Sequence, residues 1–412
     1  MKRVVITGMG AVTPLGNSVP AYWDRLLAGR SGAGPITRFD ASRFKTRFAA
    51  EVKDFDPAPL FEKGELRKYD RFTQFAVAAA DEALRQSGLD AGSIDRTRAG
   101  VILGAGDGGL ATFEEQFAAY VTGDGTPRFN PFFIPKRIVN IASGVLSIRY
   151  GFQGPSFTTA SACAAGNTAI IEAFNQVRWG KADVMLAGGA EASVTPSSIG
   201  GFNASKALST ANEDPAAASR PFDRQRDGFV LGEGAGILVL ESLEHATARG
   251  ARILGEVVGG GLASDAYHLT GTHPEGAGAA LGMRLALEEG GIAPGEVDYI
   301  NAHATSTPQG DRSELSAILS VFGATPAVAI SATKSMTGHL LGAAGAIEAI
   351  ACVEALRTGW VPPTINTNEI EEGFAGLNIV TGAAVQKEMR YALSNTFGFG
   401  GHIACVLFRK YA

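Results

Sequence analysis

Cysteine and histidine are scarce in this chain: three of the first and six of the second in 412 residues. The three cysteines, Cys163, Cys352 and Cys405, are odd in number and form no C-x-x-C pair. That excludes a disulfide framework and a thiolate zinc site, and it points to a reducing compartment, the cytoplasm. No apolar run is long enough to span a bilayer. The opening MKRVVITGMG has two basic residues but is broken at once by Thr and Gly, so it reads as a buried first strand and not as a signal peptide. Excess positive charge is also lacking: the formal net charge is −5, with 19% charged residues. No global field favours nucleic acid, and an acidic partner would have to be met by a local basic patch. Neither nucleic acid nor a membrane is an expected partner.

What the chain does have is apolar material, at 45%, and 53 glycines. That supplies a large core and many tight turns. Short β-prone runs (Val4–Thr7, Gly100–Leu103, Val184–Ala187, Ala235–Leu240, Tyr299–Ala302, Ala327–Ser331) alternate with Ala-rich amphipathic stretches (Phe72–Gln86, Thr168–Arg178, Ala277–Glu289, Ala343–Arg357). This alternation predicts an α/β fold with buried sheets. The chain also repeats itself. ALRQSGLDAGSID (83–95) and ALEEGGIAPGEVD (286–298) both end a helix, turn through Gly and lead into a strand, and the opening strand has a counterpart at 252–258. Two matches in the same order predict duplicated halves, 1–250 and 251–412, packed on each other without a flexible linker.

Cys163 lies in TTASACAAGNTAIIEAF, on a strand-to-helix turn. A thiol at a helix N-terminus is expected to have a lowered pKa and could attack a thioester to give an acyl-enzyme. On its own the residue fits a small buried side chain better. Cys352, in an apolar helix, and Cys405, in an apolar strand, fit that second description better. His303 (INAHATSTPQGD) follows a strand, and His339 (SATKSMTGHLLGAAGAIEA) sits in a Gly-rich approach to a helix, five residues after Lys334. Neutral imidazole N–H groups could serve a developing enolate oxygen, with Lys334 fixing their protonation. His245, on a charged helix, reads as solvated.

The segments around Cys163, His303, Lys334–His339 and FGFGG (397–401) resemble those of the β-ketoacyl-acyl-carrier-protein synthases, closest to the type II elongating class. The similarity covers almost the whole chain, including VVITGMGAVTPLG, SRPFDRQRDGFVLGEGAGILVLE and VPPTIN. It implies the thiolase fold, a five-layered αβαβα unit of two duplicated halves, in a dimer. It also implies a decarboxylative Claisen condensation: Cys163 holds the growing acyl chain, and His303 and His339 assist loss of carbon dioxide from malonyl-carrier protein. By the same resemblance, the N–H groups of Cys163 and Phe399 form the oxyanion hole, and Phe399 gates the site. Lys334 organises the site with Glu348 as its acidic partner, and Thr305 and Thr307 meet the phosphopantetheine arm. No cofactor is implied, because pantetheine arrives on the acyl carrier protein. A monovalent cation site at Asn301, Glu348, Ser394 and Asn395 is known in some members. Arg67, Lys68, Arg128 and Lys206 match carrier-docking positions, although each could equally be an ordinary solvated charge.

Three positions depart from the elongating pattern: Asp107 stands where an apolar residue lines the acyl pocket, Ile403 where Asn is common, and Ala304 where Gly follows the histidine. A carboxylate at 107 disfavours a plain saturated chain. The chemistry therefore has two versions. One is fatty acid elongation. The other is polyene or polyketide elongation by a heterodimer with a Cys-less, chain-length-factor-like subunit. A degradative thiolase would carry a second catalytic Cys in the C-terminal glycine loop, and FGFGGH has none; a non-catalytic subunit would lack Cys163.

Overall fold

In the computed structural model, which describes residues 1–324 and 326–412, ten strands join in one sheet. They are β1 (Val4–Val12), β2 (Ala99–Gly104), β3 (Ser156–Thr159), β4 (Val184–Glu191), β5 (Gly234–Ser242), β6 (Gly255–Ser264), β7 (Tyr299–Asn301), β8 (Ala329–Ser331), β9 (Tyr391–Gly398) and β10 (His402–Arg409). The order is β8-β7-β9-β10-β6-β1-β5-β4-β2-β3. Read within each half, both sets of five run third-second-fourth-fifth-first. The pairing senses match as well. β1/β5 and β4/β5 are antiparallel, as are β6/β10 and β9/β10; β2/β4 and β2/β3 are parallel, as are β7/β9 and β7/β8. The halves meet edge to edge where Val4–Ile6 of β1 pair with Gly255–Val257 of β6. The matching halves are what the repeat predicts, and together they make the thiolase-type architecture that the resemblance implies.

Helices among the described residues that bear on the layers and the site include α1 (Arg71–Ser87), α2 (Leu110–Thr122), α3 (Ala165–Arg178), α4 (Ala277–Gly290), α5 (Pro308–Phe322) and α6 (Ala344–Thr358). α1 is capped by Asp70, which accepts from the Phe72 N–H, and it stops at Gly88 with φ 63°. α4 stops at Gly291 with φ 65°. The repeated GL/GI of the sequence is therefore one device used twice, a glycine taking the left-handed conformation that ends a helix. α1 lays Phe72, Phe75, Ala76 and Ala80 against Val101, Leu186 and Ile237 of the first half. α4 and α5 cover the second half through Met283, Leu287, Leu315 and Ile318 against Ile300, Leu393 and Leu407. Truncating one of these buried aromatics costs about 3–5 kcal/mol.

Between the two five-stranded halves of the sheet lie α3 and α6, each following the third strand of its half. Their first turns approach so closely that a Cβ on Gly166 would stand 2.9 Å from Ala346 N, and one on Gly345 would stand 2.7 Å from Asn167 N. The central layer thus brings the two helix N-termini together, and with them the turns that precede each helix.

Candidate active site

Cys163 occupies a single 3-10 turn, Ala162–Ala164, directly before α3. The matching turn before α6 is Leu341–Ala343. Both begin on a non-glycine residue with positive φ, 50° at Ala162 and 47° at Leu341. Such backbone conformations persist only where surrounding packing enforces them. The sequence holds the signal for this pairing, ACAAG at 162–166 and LGAAG at 341–345, which places Gly342 opposite Cys163.

The expected low thiol pKa is not what the structure gives. Burial pushes Cys163 up to about 12, against the lowering pull of the Lys334 ammonium and the Phe399 N–H; the Glu191 and Asp107 carboxylates push it further up. Desolvation outweighs the helix terminus, so Cys163 rests as the thiol. Cys352 and Cys405 are fully buried, and burial raises both thiols well above their ordinary value, as expected of structural residues.

Cys163, His303 and His339 line one cavity of 320 Å³, together with Thr305, Thr307 and Phe399. The imidazoles stand edge to face, 5.3 Å between centroids at 87°. Phe229 flanks His339 and Phe397 flanks His303, each at 5.3 Å. Burial, and then the Lys334 charge, holds both histidines well below their ordinary value. They are neutral at pH 7 and can donate. Lys334 is fully buried and ion-paired with Glu348 on α6. Burial raises Glu348 to about 7 even against that lysine.

Buried groups that the sequence reading did not single out hold these loops. Glu314 of α5 accepts from His303 N at 2.9 Å, Ala304 N at 2.7 Å and Asn395 Nδ2 at 3.1 Å. Asp311 accepts from Ser306 N at 3.0 Å and Phe222 N at 2.9 Å. Arg226 donates to Thr307 O at 3.0 Å. The RPFDRQRDGFVLGEG segment is therefore a clamp. It fixes the Thr305–Thr307 loop and, through His339 N to Val230 O at 2.7 Å and Gly232 N to His339 O at 2.9 Å, the second histidine. Thr305 and Thr307 share a hydroxyl contact of 3.1 Å on the cavity wall. His245 is not solvated as expected: its Nδ1 meets Glu241, which Arg249 and Thr7 also engage.

Phe399 also lines a second cavity, of 340 Å³, with Asp107, Leu110, Ser197, Ser198, Phe202 and Ser205. Asp107 borders a third as well, of 430 Å³, with Arg137 and Asn140. Phe399 thus stands between the thiol and a partly polar space. In the single chain the Asp107 side chain is exposed and not buried, so the desolvation cost expected of it arises only where something covers this face. Ile403 lines the thiol cavity, and Ala304 is buried beneath it.

Of the four expected docking residues, only Lys206 borders the cavity mouth. Lys68 is ion-paired with Glu65 and Arg128 with Asp124, and Arg67 is exposed beside Lys68. The four expected cation ligands are not gathered as side chains. Asn301 and Ser394 pair in register on the inner sheet face, where Asn167 Nδ2 reaches Ser394 Oγ at 3.3 Å. Glu348, on the central helix, keeps an unpartnered buried Oε2. Asn395 points to the opposite face, to Glu314 and Met283. Adjacent strand residues face opposite sides, so the side chains of Ser394 and Asn395 point away from each other.

Residues 1–246 match the beta-ketoacyl synthase N-terminal domain, and residues 254–368 match its C-terminal domain. The chain is 48% identical over 411 residues to a protein of Synechocystis sp. named 3-oxoacyl-[acyl-carrier-protein] synthase 2, covering 100% of this chain and 98% of that one. Among solved structures, it superposes on the ishigamide ketosynthase/chain length factor with a TM-score of 0.94 at 38% identity, with both chains fully covered. It superposes on the AntDE:AntF complex, a type II polyketide ketosynthase with its acyl-carrier protein, with a TM-score of 0.89 at 34% identity, again with full coverage of both.

Proposed function

The chain belongs to the β-ketoacyl synthase family, and from that premise we propose that it condenses malonyl-acyl carrier protein with an acyl group held on Cys163, giving 3-oxoacyl-acyl carrier protein in fatty acid elongation. The observation that carries this reading is the convergence of Cys163, His303 and His339 on one cavity walled by Thr305 and Thr307.

In the first half-reaction Sγ attacks the carrier thioester, a carbon–sulfur bond forms, and the carrier thiol leaves with the proton that Cys163 gives up. Because Cys163 rests as the thiol, that proton departs during attack, and the neutral imidazoles lining the same cavity are the acceptors at hand. The Cys163 and Phe399 N–H groups receive the oxyanion. In the second half-reaction the malonyl carbon–carboxylate bond breaks, carbon dioxide leaves, and His303 and His339 donate to the enolate oxygen. The carbanion then attacks the acyl-Cys163 carbonyl, and Cys163 departs and regains a proton. Lys334, with Glu348, keeps both imidazoles neutral. Thr305 and Thr307 hold the pantetheine arm, and Phe399 swings between the thiol and the acyl space.

No step needs a resident cofactor, and none is assigned to a cation. An acyl carrier protein is the partner for both substrates, with Lys206 as its best-placed contact. A partner subunit is supported by the exposed aromatic face of α2 and the segment after it: Phe113, Phe117, Tyr120 and Phe129. It would be a second copy or a Cys-less chain-length-factor-like chain. A division into halves near residue 250 is supported by the strand order, with β5 ending at Ser242 and β6 beginning at Gly255. Three unpaired cysteines support the cytoplasm, and no helix among the described residues is long and apolar enough to cross a membrane.

Asp107 among Ser197, Ser198 and Ser205 favours a second version, elongation of a polyene or polyketide chain with that Cys-less partner. The purified chain, given malonyl-carrier and a saturated acyl-carrier, distinguishes them. Release of carbon dioxide with formation of the 3-oxoacyl product by the chain alone supports fatty acid elongation. Turnover only with a Cys-less subunit supports the second version, and no product under either condition removes both.

A further inference from the structure

Glu191 ends β4 and is fully buried. Its Oε2 accepts from Gly106 N at 2.7 Å and Gly342 N at 3.1 Å, and its Oε1 from Asp107 N at 3.1 Å and Ser193 Oγ at 3.2 Å. Gly106 and Asp107 belong to the loop after β2 that borders the acyl space. Gly342 lies three residues beyond His339, next to the strained Leu341. One carboxylate therefore joins the acyl side of the site to its histidine side. Little else could fit: a Cβ on Gly342 would stand 2.6 Å from Gly106 N and 2.8 Å from Glu191 Oε2. Four hydrogen bonds are what a buried carboxylate requires.

The group is also electrically placed. Asp107 is the ionisable group with the largest charge effect on it, and Cys163 feels its charge. Glu82 of α1 is turned to Ala11 and Val19, Glu348 of α6 to Lys334, and Glu233 before β5 to Arg38 and Arg71. Burial, reinforced by the Asp107 carboxylate, lifts Glu191 to about 7, and its charge lifts the Cys163 thiol in turn.

We propose that Glu191 is a positioning residue, which locks the Asp107 loop against the His339 loop and sets the reactivity of the Cys163 sulfur through its charge. What it positions rests on the condensing reading above; the geometry does not.

The test compares E191Q and E191D with the wild type in the full chain, by alkylation of Cys163 with iodoacetamide across pH and by condensation kinetics. E191Q removes the charge that disfavours the thiolate. At about pH 9 its alkylation is expected to run roughly threefold or more faster than wild type, and the two should converge near pH 6, where Glu191 is itself protonated. E191D keeps the charge but not the reach, so its alkylation stays within about twofold of wild type. Both variants should lose roughly tenfold or more in condensation kcat, with KM for malonyl-carrier within about threefold. An alkylation ratio that does not change with pH overturns the inference, as does full kcat in either variant. Should E191Q not fold, E191D decides by the same kcat measurement. Alkylation needs no carrier protein, so its failure leaves the condensing reading standing, whereas absence of acyl transfer to Cys163 would remove that reading alone.

Discussion

The Lys334 ammonium and the Glu348 carboxylate face each other inside the protein, each side chain 1% exposed. Neither has solvent to fall back on, so each depends on the other, and the lysine charge reaches Cys163 and both histidines.

Replacing Lys334 by Met leaves Glu348 buried without its partner. The expected loss of stability is about 3–5 kcal/mol, read by urea unfolding. Removing the positive charge also removes one of the influences that lower the histidine pKa values, so both imidazoles shift up towards their ordinary value. The decarboxylation rate should then fall at an acidic limb that moves to higher pH.

In the native protein the histidines titrate well below 6.5. They stay neutral as pH falls from 8 towards 6 and charge only below that range. The rate of malonyl-carrier decarboxylation should therefore show no histidine limb between pH 6 and 8. His303→Ala or His339→Ala should each reduce that rate by about 10²-fold or more while acyl transfer to Cys163 persists with the remaining imidazole as proton acceptor, which single-turnover assays of the two half-reactions would separate.

Asp107 opens on two cavities beyond Phe399. Replacing it by Ile removes a carboxylate that an apolar chain would have to desolvate. The kcat/KM for saturated acyl-carriers should rise by about tenfold. Unchanged chain preference would take away the reason for a polyene or polyketide substrate.

Glu241 lies fully buried among Arg249, His245 and Thr7, which hold its carboxyl down at about 2 despite burial. Its folded value is below the unfolded one, so its contribution is present above about pH 4.5 and is lost as pH falls towards 2. Glu241→Gln should cost about 3 kcal/mol at pH 7 and progressively less under acid, measurable as unfolding midpoints across pH.

Much of this site could be read from the sequence because its parts are local. The Cys163 turn lies between a β-prone run and a helical one, and both histidines follow strands. The matched ALRQSG and ALEEGG stretches marked two equivalent helix ends. Glu191, Glu314 and Arg226 could not be read the same way. Most of the partners that tie them to the site are backbone groups of loops 10 to 151 residues away, and a backbone group leaves no mark in the sequence. The thiol pKa is not legible in the sequence, because the helix terminus is local while the burial that outweighs it is tertiary. Two further signals lie in the sequence. ACAAG and LGAAG pair the turns of the two halves, and the alternation of a strand already separates Ser394 from Asn395.

The most direct measurement is mass analysis of the protein after incubation with a labelled acyl-carrier thioester. The expected result is one acyl group on the peptide carrying Cys163, retained until malonyl-carrier is added and then released as the 3-oxoacyl product. A protein that stays unlabelled, or that carries label equally well as the Cys163→Ala variant, would contradict the assignment of Cys163 as the condensing nucleophile.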